Sequence, residues 1–360
     1  MKLAVLGVGL IGGSIGLAAR ERLGASVAGY DPDPSTLRLG SVNGALSRSC
    51  TSVEQACAGA DVVLCCAPVG RLPDLVGQAL VASGSKAVVT DVGSVKGELC
   101  RAHSSDERFI GGHPLAGAET AGIEHARADL FDGARWYLTP GSGTRGTLYD
   151  RLQRLIADLG ARPQAIDAET HDRELATVSH LPHVLANVLV SLAATAPTEG
   201  DRPTEIGPSF RDATRVAGAN PAMWRDIFLA NGPALATALD TAVDQLRDAS
   251  ELVRAGDDTA LLEWIEQARA DRARLAAGRG DAGPAQELRV TVANRPGVVA
   301  ELALALGRAG VNIEDMSLHP AHDGQTGAIS LWVTGDQETA RARELVQGLG
   351  HAVTRSGGQG

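Results

Sequence analysis

Apolar and polar positions follow two rhythms along this chain. Up to about residue 167, short apolar runs of strand length alternate with helical segments. Lys2–Leu6, Ser26–Tyr30, Asp61–Ala67, Lys86–Asp91, Arg108–His113 and Arg162–Ile166 read as strands, and Pro34–Leu39, Leu72–Ala82 and Leu148–Leu159 as helices. Such alternation predicts a parallel, doubly wound sheet with ligands beyond the carboxyl ends of its strands. From Ala168 to about Ala277 the strand rhythm stops. Helical patterns cover Glu169–Ala194, Phe210–Leu229, Pro233–Arg254 and Asp257–Leu275. Past the Gly- and Pro-rich stretch Gly278–Pro284, strands return at Glu287–Ala293, Val311–Leu318, Ala328–Thr334 and His351–Arg355, with helices at Val298–Ala309 and Glu338–Leu349. That β-α-β-β-α-β order is ferredoxin-like. The predicted class is α/β, in three parts: a doubly wound Rossmann domain over 1–167, an all-helical domain over 168–278, and, after a linker at 279–286, a ferredoxin-like domain over 287–357.

Composition narrows the partners. The 360 residues carry a net charge of −10 with no long run of one sign, which argues against nucleic acid and anionic membrane. No apolar stretch is expected to reach transmembrane length without an interrupting glycine or charge. The five cysteines lie in the first third and form no C-x-x-C, the pattern of reduced thiols in a cytoplasmic protein. The apolar helices of the middle segment predict pairing across a two-fold axis, hence a homodimer.

Candidate chemistry begins with the first strand. Gly7-Val8-Gly9-Leu10-Ile11-Gly12 fits G-x-G-x-x-G between a strand and a helix. Gly7 permits the turn, Gly9 lets backbone approach a pyrophosphate, Gly12 allows close packing, and Leu10 and Ile11 open the helix whose N–H groups face the phosphates. Asp31 ends the second strand about 20 residues on, where an acid takes ribose hydroxyls, and no Arg follows it for a 2′-phosphate; NAD is therefore expected over NADP. Met1-Lys2 and the apolar residues to Ala19 also resemble a signal peptide, but the glycine spacing argues against that. The strand-end rule adds the loop at Ala67 and Pro68 and the loop Asp91–Gly97. In the latter, Ser94 either caps the following helix or sits beside the nicotinamide. His113, flanked by glycines, is a candidate general base. Glu119 is a loop acid or a site-rim acid. His180 and His183 share a helical face; with no third ligand evident, no metal is expected. Asp212 and Arg215 are a surface pair, or Arg215 clamps a carboxylate.

Five segments in this order resemble the prephenate and arogenate dehydrogenases of tyrosine biosynthesis: the glycine loop, Asp91-Val-Gly-Ser-Val-Lys96, Gly112-His-Pro-Leu-Ala-Gly117, Ser179-His-Leu-Pro-His183 and Phe210-Arg-Asp-Ala-Thr-Arg215. The tail, through Arg295-Pro-Gly297 and Gly310-Val-Asn312-Ile313, looks like an ACT domain, a ligand-sensing module of amino-acid-regulated enzymes. The resemblance implies NAD-dependent oxidative decarboxylation of prephenate to 4-hydroxyphenylpyruvate, or of arogenate directly to tyrosine. It implies that His113 takes the ring hydroxyl proton and Ser94 orients that hydroxyl. Arg215 is expected to clamp a carboxylate, with His183 and His180 at the substrate. Asp212 and Glu119 resemble the family's ionic gate. A cationic His183 would suit the keto acid. Trp224 matches a position near the site and reads equally well as core. The resemblance further implies a pocket between the first two domains and tyrosine or another amino acid as effector at the tail. Ala118 departs from the family, whose members often carry a hydroxyl there. A β-hydroxyacid dehydrogenase is a poorer match, because its catalytic Lys lies in the second domain, whereas the lysines here are Lys2, Lys86 and Lys96.

Overall fold

The computed structural model describes residues 1–116, 120, 122–195, 205–277, 285–293, 295, 297–311, 313, 315–321 and 326–355. The chain divides into two compact units: residues 1–172 together with 285–360, and residues 173–284.

In the first unit, β1 (Lys2–Leu6), β2 (Ser26–Tyr30), β3 (Arg48–Cys50), β4 (Val62–Cys65), β5 (Val88–Asp91), β6 (Phe109–Pro114), β7 (Arg135–Pro140) and β8 (Arg162–Ala165) form one sheet. Their order is β3-β2-β1-β4-β5-β6-β7-β8, parallel except for the antiparallel β6–β7 pair. Both faces are covered, so strands such as Val62–Cys65 are buried along their whole length and read as continuous apolar runs rather than alternating ones. The strand order reverses between β1 and β4. A doubly wound sheet forms its ligand crevice at that reversal, beyond the carboxyl ends of the strands.

Two strands escaped the hydrophobic pattern. Arg48–Cys50 is short and largely polar, so the run at Asp61 is the fourth strand and not the third. Arg135–Pro140 pairs antiparallel with β6 and sets Tyr137 opposite His113.

The tail forms β9 (Ala285–Ala293), β10 (Asp315–Pro320), β11 (Thr326–Thr334) and β12 (Ala352–Arg355), ordered β10-β11-β9-β12 and antiparallel throughout. With helices Val298–Arg308 and Asp336–Gly348 it has the expected βαββαβ order. β9 starts at Ala285, inside the stretch read as linker, and β10 starts at Asp315, not Val311. Residues 279–284 of that linker, with Gly278, Pro296 and Asn312, lie outside the described residues. The tail is not a separate body. Its core residues, including Leu288, Val299 and Ile329, are continuous with the cluster of Leu3, Ile110 and Trp136. Gly297 donates its N–H to the Thr144 carbonyl (3.0 Å), fastening the start of helix Val298–Arg308 to the loop after β7.

In the second unit, the predicted helix Glu169–Ala194 is helical throughout but not regular. It runs as Ala168–Leu175, a π-helical turn Ala176–His180, and Leu181–Ala194. Pro182 gives the reason. Proline lacks an N–H and crowds the carbonyl four residues back, and a π turn relieves that conflict. Residues 176–194 contain neither glycine nor a charged residue, and the run Ala168–Ala194 is long and apolar enough to cross a membrane. The expectation that no stretch reaches that length was therefore wrong. The same run carries His180 and His183, which meet polar and aromatic partners of neighbouring helices, and its first turn carries the buried pair His171 and Asp172. The boundary at Asp172 follows from that burial: the first residues of the helix belong to the nucleotide-binding unit. Helix Pro208–Thr214 passes into a 3₁₀ turn, Arg215–Gly218, and Asn220 then caps helix Pro221–Ala230 by accepting N–H bonds from Ala222 and Met223. The pattern from Phe210 to Leu229 is thus two helices. Helices Gly232–Ala255 and Asp258–Ala277 complete the unit.

Candidate active site

The glycine loop has the geometry its spacing predicts. Gly7 sits at φ +97°, where a Cβ would run into the Cys66 carbonyl oxygen, so only glycine fits. A Cβ on Gly12 would collide with the Gly7 carbonyl and lie 2.9 Å from Val5 Cγ1. Gly9 is different: a Cβ there meets nothing within 4 Å. That open space lies directly before helix Leu10–Leu23, whose first turn carries no acidic residue and no side-chain cap. It is the place where a pyrophosphate would take the free N–H groups. Asp31 accepts the N–H of Val8 (2.8 Å) and of Asp33 (2.9 Å), so the carboxylate at the end of β2 also fastens the glycine loop. Ala67 and Pro68 follow β4 beside that loop, whose Gly7 packs on Cys66. Nothing cationic stands in Asp31-Pro32-Asp33 to receive a 2′-phosphate. The residues present fit NAD.

The second strand-end loop is held by a charge that the sequence reading gave no role. Lys96 and Asp91 are completely buried and form an ion pair. Lys96 Nζ also donates to the Gly112 carbonyl (2.8 Å). Asp91 Oδ2 accepts the N–H of Gly93 (2.8 Å) and Oδ1 that of Gly112 (3.0 Å). One carboxylate therefore fixes the residue before Ser94 and the residue before His113. Ser94 is half-buried in this loop and does not cap helix Gly97–Ala102. That helix start is satisfied by Asp172, which accepts the N–H of Lys96 (2.8 Å) and of Gly97 (2.7 Å).

His113 is buried near the end of β6. Its Nδ1 lies 2.9 Å from Nε2 of His171, whose Nδ1 lies 2.8 Å from Asp172 Oδ1. Burial depresses the His171 pKa, outweighing the neighbouring Asp172, so this ring is neutral near pH 7. Neither His171 nor Asp172 was singled out in the sequence.

In the helical unit, His180 and His183 do share a face, and both turn to Trp224. His183 stacks on the indole (3.8 Å between centroids, 13°), and His180 meets it edge-on at 6.1 Å. Asn231 donates to His180 Nδ1 at 3.1 Å. Among the described residues, His183 Nδ1 and Trp224 Nε1 are buried without a hydrogen-bond partner. Burial lowers the His183 pKa, so this ring is neutral at pH 7 and is not the cation that would suit the keto acid. Arg215 and Asp212 are exposed, on the 3₁₀ turn and the preceding helix. Glu119 and Ala118 lie outside the described residues.

A dinucleotide loop at the sheet's reversal point, with a buried histidine on the same sheet, defines a nicotinamide-dependent dehydrogenase. Comparison with known proteins sharpens that class. Residues 15–164 match the nucleotide-binding domain of prephenate dehydrogenase, 167–267 its dimerization domain, and 287–351 the ACT domain. A prephenate dehydrogenase from Bacillus subtilis is 29% identical over 356 residues, covering 95% of this chain and 94% of its own. A cyclohexadienyl dehydrogenase from Zymomonas mobilis is 31% identical over 281 residues, covering 76% and 95%. The crystal structure of prephenate dehydrogenase from A. aeolicus, in complex with hydroxyphenyl propionate and NAD+, superposes with a TM-score of 0.72 at 30% identity, covering 76% of this chain and 98% of that one. The chain belongs to the prephenate dehydrogenase family.

Proposed function

We propose that the protein oxidises prephenate with NAD+ to 4-hydroxyphenylpyruvate and CO2. The observation that carries this is His113, held from both sides: through Gly112 by the Asp91–Lys96 pair, and at Nδ1 by His171. When bound, NAD+ accepts the hydride from the hydroxyl-bearing ring carbon. His113 takes the hydroxyl proton. The bond to the ring carboxylate then breaks, its electron pair entering the ring as it aromatises. Ser94 orients the hydroxyl, and Arg215 clamps a carboxylate. His183 and His180 meet the side chain, with Asp212 and Glu119 as an ionic gate. His113→Asn should lower kcat by on the order of 10²–10⁴ with NAD binding intact. Arg215→Ala should chiefly raise KM.

Arogenate is the second reading, forming tyrosine directly. A neutral His183 exerts no repulsion on the ammonium group that distinguishes arogenate, so the cation that would have favoured the keto acid is missing. Initial rates with both substrates decide: equal or greater kcat/KM for arogenate refutes the prephenate assignment.

The homodimer is supported by the exposed apolar residues Val188, Leu192, Leu246, Leu262, Trp264 and Ile265 on the helical unit. A cytoplasmic setting is supported by five free cysteines. Tyrosine or another amino acid is the proposed effector at the ACT domain.

A further inference from the structure

Beyond His113, the geometry points to two positioning residues, His171 and Asp172, which act through it by fixing which of its ring nitrogens carries the proton. The inference rests on the reading of His113 as the base.

The argument is one of donors and acceptors. The Asp172 carboxylate can only accept, so the 2.8 Å contact requires a proton on His171 Nδ1. In a neutral ring this leaves His171 Nε2 as an acceptor. The 2.9 Å contact to His113 then requires the proton on His113 Nδ1. His113 Nε2 is left unprotonated, the form a base needs. Asp172 is itself held by the N–H groups of Lys96 and Gly97, so the series is anchored at the start of a helix. The groups facing His171 are Asp172 from its own helix, His113 from β6, Tyr137 from β7 with its ring edge-on at 5.4 Å, Asp91 from the end of β5 and Lys96 from the loop after it.

Proton balance is simple. As the substrate hydroxyl gives its proton to His113 Nε2, the ring becomes an imidazolium, and its Nδ1–H bond to His171 becomes charge-assisted. Hydrogen bonding to the charged form favours it. His171 thereby raises the basicity of His113 as well as holding its tautomer.

The test compares His171→Leu with His171→Gln in the full chain, assayed with prephenate and NAD+ across pH. Leucine removes the acceptor, whereas the glutamine amide oxygen can take the place of Nε2. Expected for His171→Leu is a fall in kcat of roughly 10–100-fold, part of what a general base carries. KM and NAD affinity should stay within about 2–3-fold, and the acid limb of the pH profile should move down by about one unit. His171→Gln should restore the limb and most of kcat. A limb that stays in place in His171→Leu, or equal losses in both variants, overturns the proposal. Nitrogen-15 NMR of histidine-labelled wild-type protein near pH 7.5 tests the tautomer without any variant. A proton on Nδ1 of His113 is expected, and one on Nε2 overturns the proposal even if neither variant folds. Full turnover in His113→Asn would overturn the base reading and the proposal with it. An Nε2-protonated His113 in an enzyme that depends on that residue overturns the proposal alone.

Discussion

Lys96→Met tests how the two strand-end loops are held together. Both partners of the Lys96–Asp91 pair are fully buried, and Lys96 also satisfies the Gly112 carbonyl. Methionine fills similar volume and removes the ammonium. Asp91 keeps the N–H groups of Gly93 and Gly112, but its charge loses the buried cation opposite. Breaking a buried pair by removing one partner costs about 3–5 kcal/mol. The two remaining N–H donors place the cost near the lower end, about 3 kcal/mol. For a unit of this size, at roughly 2–4 °C per kcal/mol, Tm should fall by about 6–12 °C. Thermal unfolding of the full chain, followed by circular dichroism, measures it. Because the penalty comes from an uncompensated charge, adding Asp91→Asn to Lys96→Met should recover part of the loss, and the two substitutions should be non-additive. A Tm change under about 2 °C for Lys96→Met, or a double variant less stable by the sum of its parts, refutes the reasoning. The activity readout follows from Gly112, whose N–H and carbonyl are both tied to this pair one residue before His113: kcat should fall further than stability alone explains.

Three further outcomes follow from individual residues. Gly9→Ala should leave Tm nearly unchanged, because its Cβ enters open space, while lowering NAD affinity at least about tenfold; Gly7→Ala, strained at φ +97° and blocked by the Cys66 carbonyl, should cost about 1–3 kcal/mol of stability, and equal Tm losses in the two variants would contradict the assignment. His171 and His183 have pKa values pushed below the unfolded value of about 6.5 by burial, so the unfolded chain binds more protons as pH drops past that value. Their contribution is present above about pH 6.5 and is lost as pH falls toward the folded-state values; a urea midpoint that holds constant or rises between pH 7.5 and 5.5 would contradict this. Gly297→Ala, at φ +85° with the Ser142 carbonyl in the way, should lower Tm while leaving NAD affinity unaltered, as titration can check.

How much of this was legible depended on how local each signal is. The glycine loop, Asp31 and the strand ends could be read because turn chemistry and strand period are written in adjacent residues. The strand Arg135–Pro140 had a signal that went unused: a Trp-Tyr-Leu-Thr run between Gly133 and Gly141 has strand composition. The strand Arg48–Cys50 had none, being three residues with one buried. The tail's elements were legible, but its attachment was not. Continuity between its core and that of the sheet is a property of the folded surface, and no periodicity in 287–357 reports it.

The site shows the same division more sharply. His113 could be found from its flanking glycines, but the residues that set its protonation could not. His171 is 58 positions away, at the start of a helix whose apolar pattern assigns it to the next domain. Lys96 stood inside a recognised segment, yet a lysine is the residue least expected to be fully buried, and only its partners reveal why it is. In each case the candidate residue lies at or just beyond a strand end, where adjacent residues leave a local signature. The group that fixes its geometry is distant in sequence and carries a charge or a proton that must be satisfied inside the protein. Buried titratable residues paired with one another are therefore where the structure adds most to what the sequence shows, and His171, Asp172, Asp91 and Lys96 are four of them around one histidine.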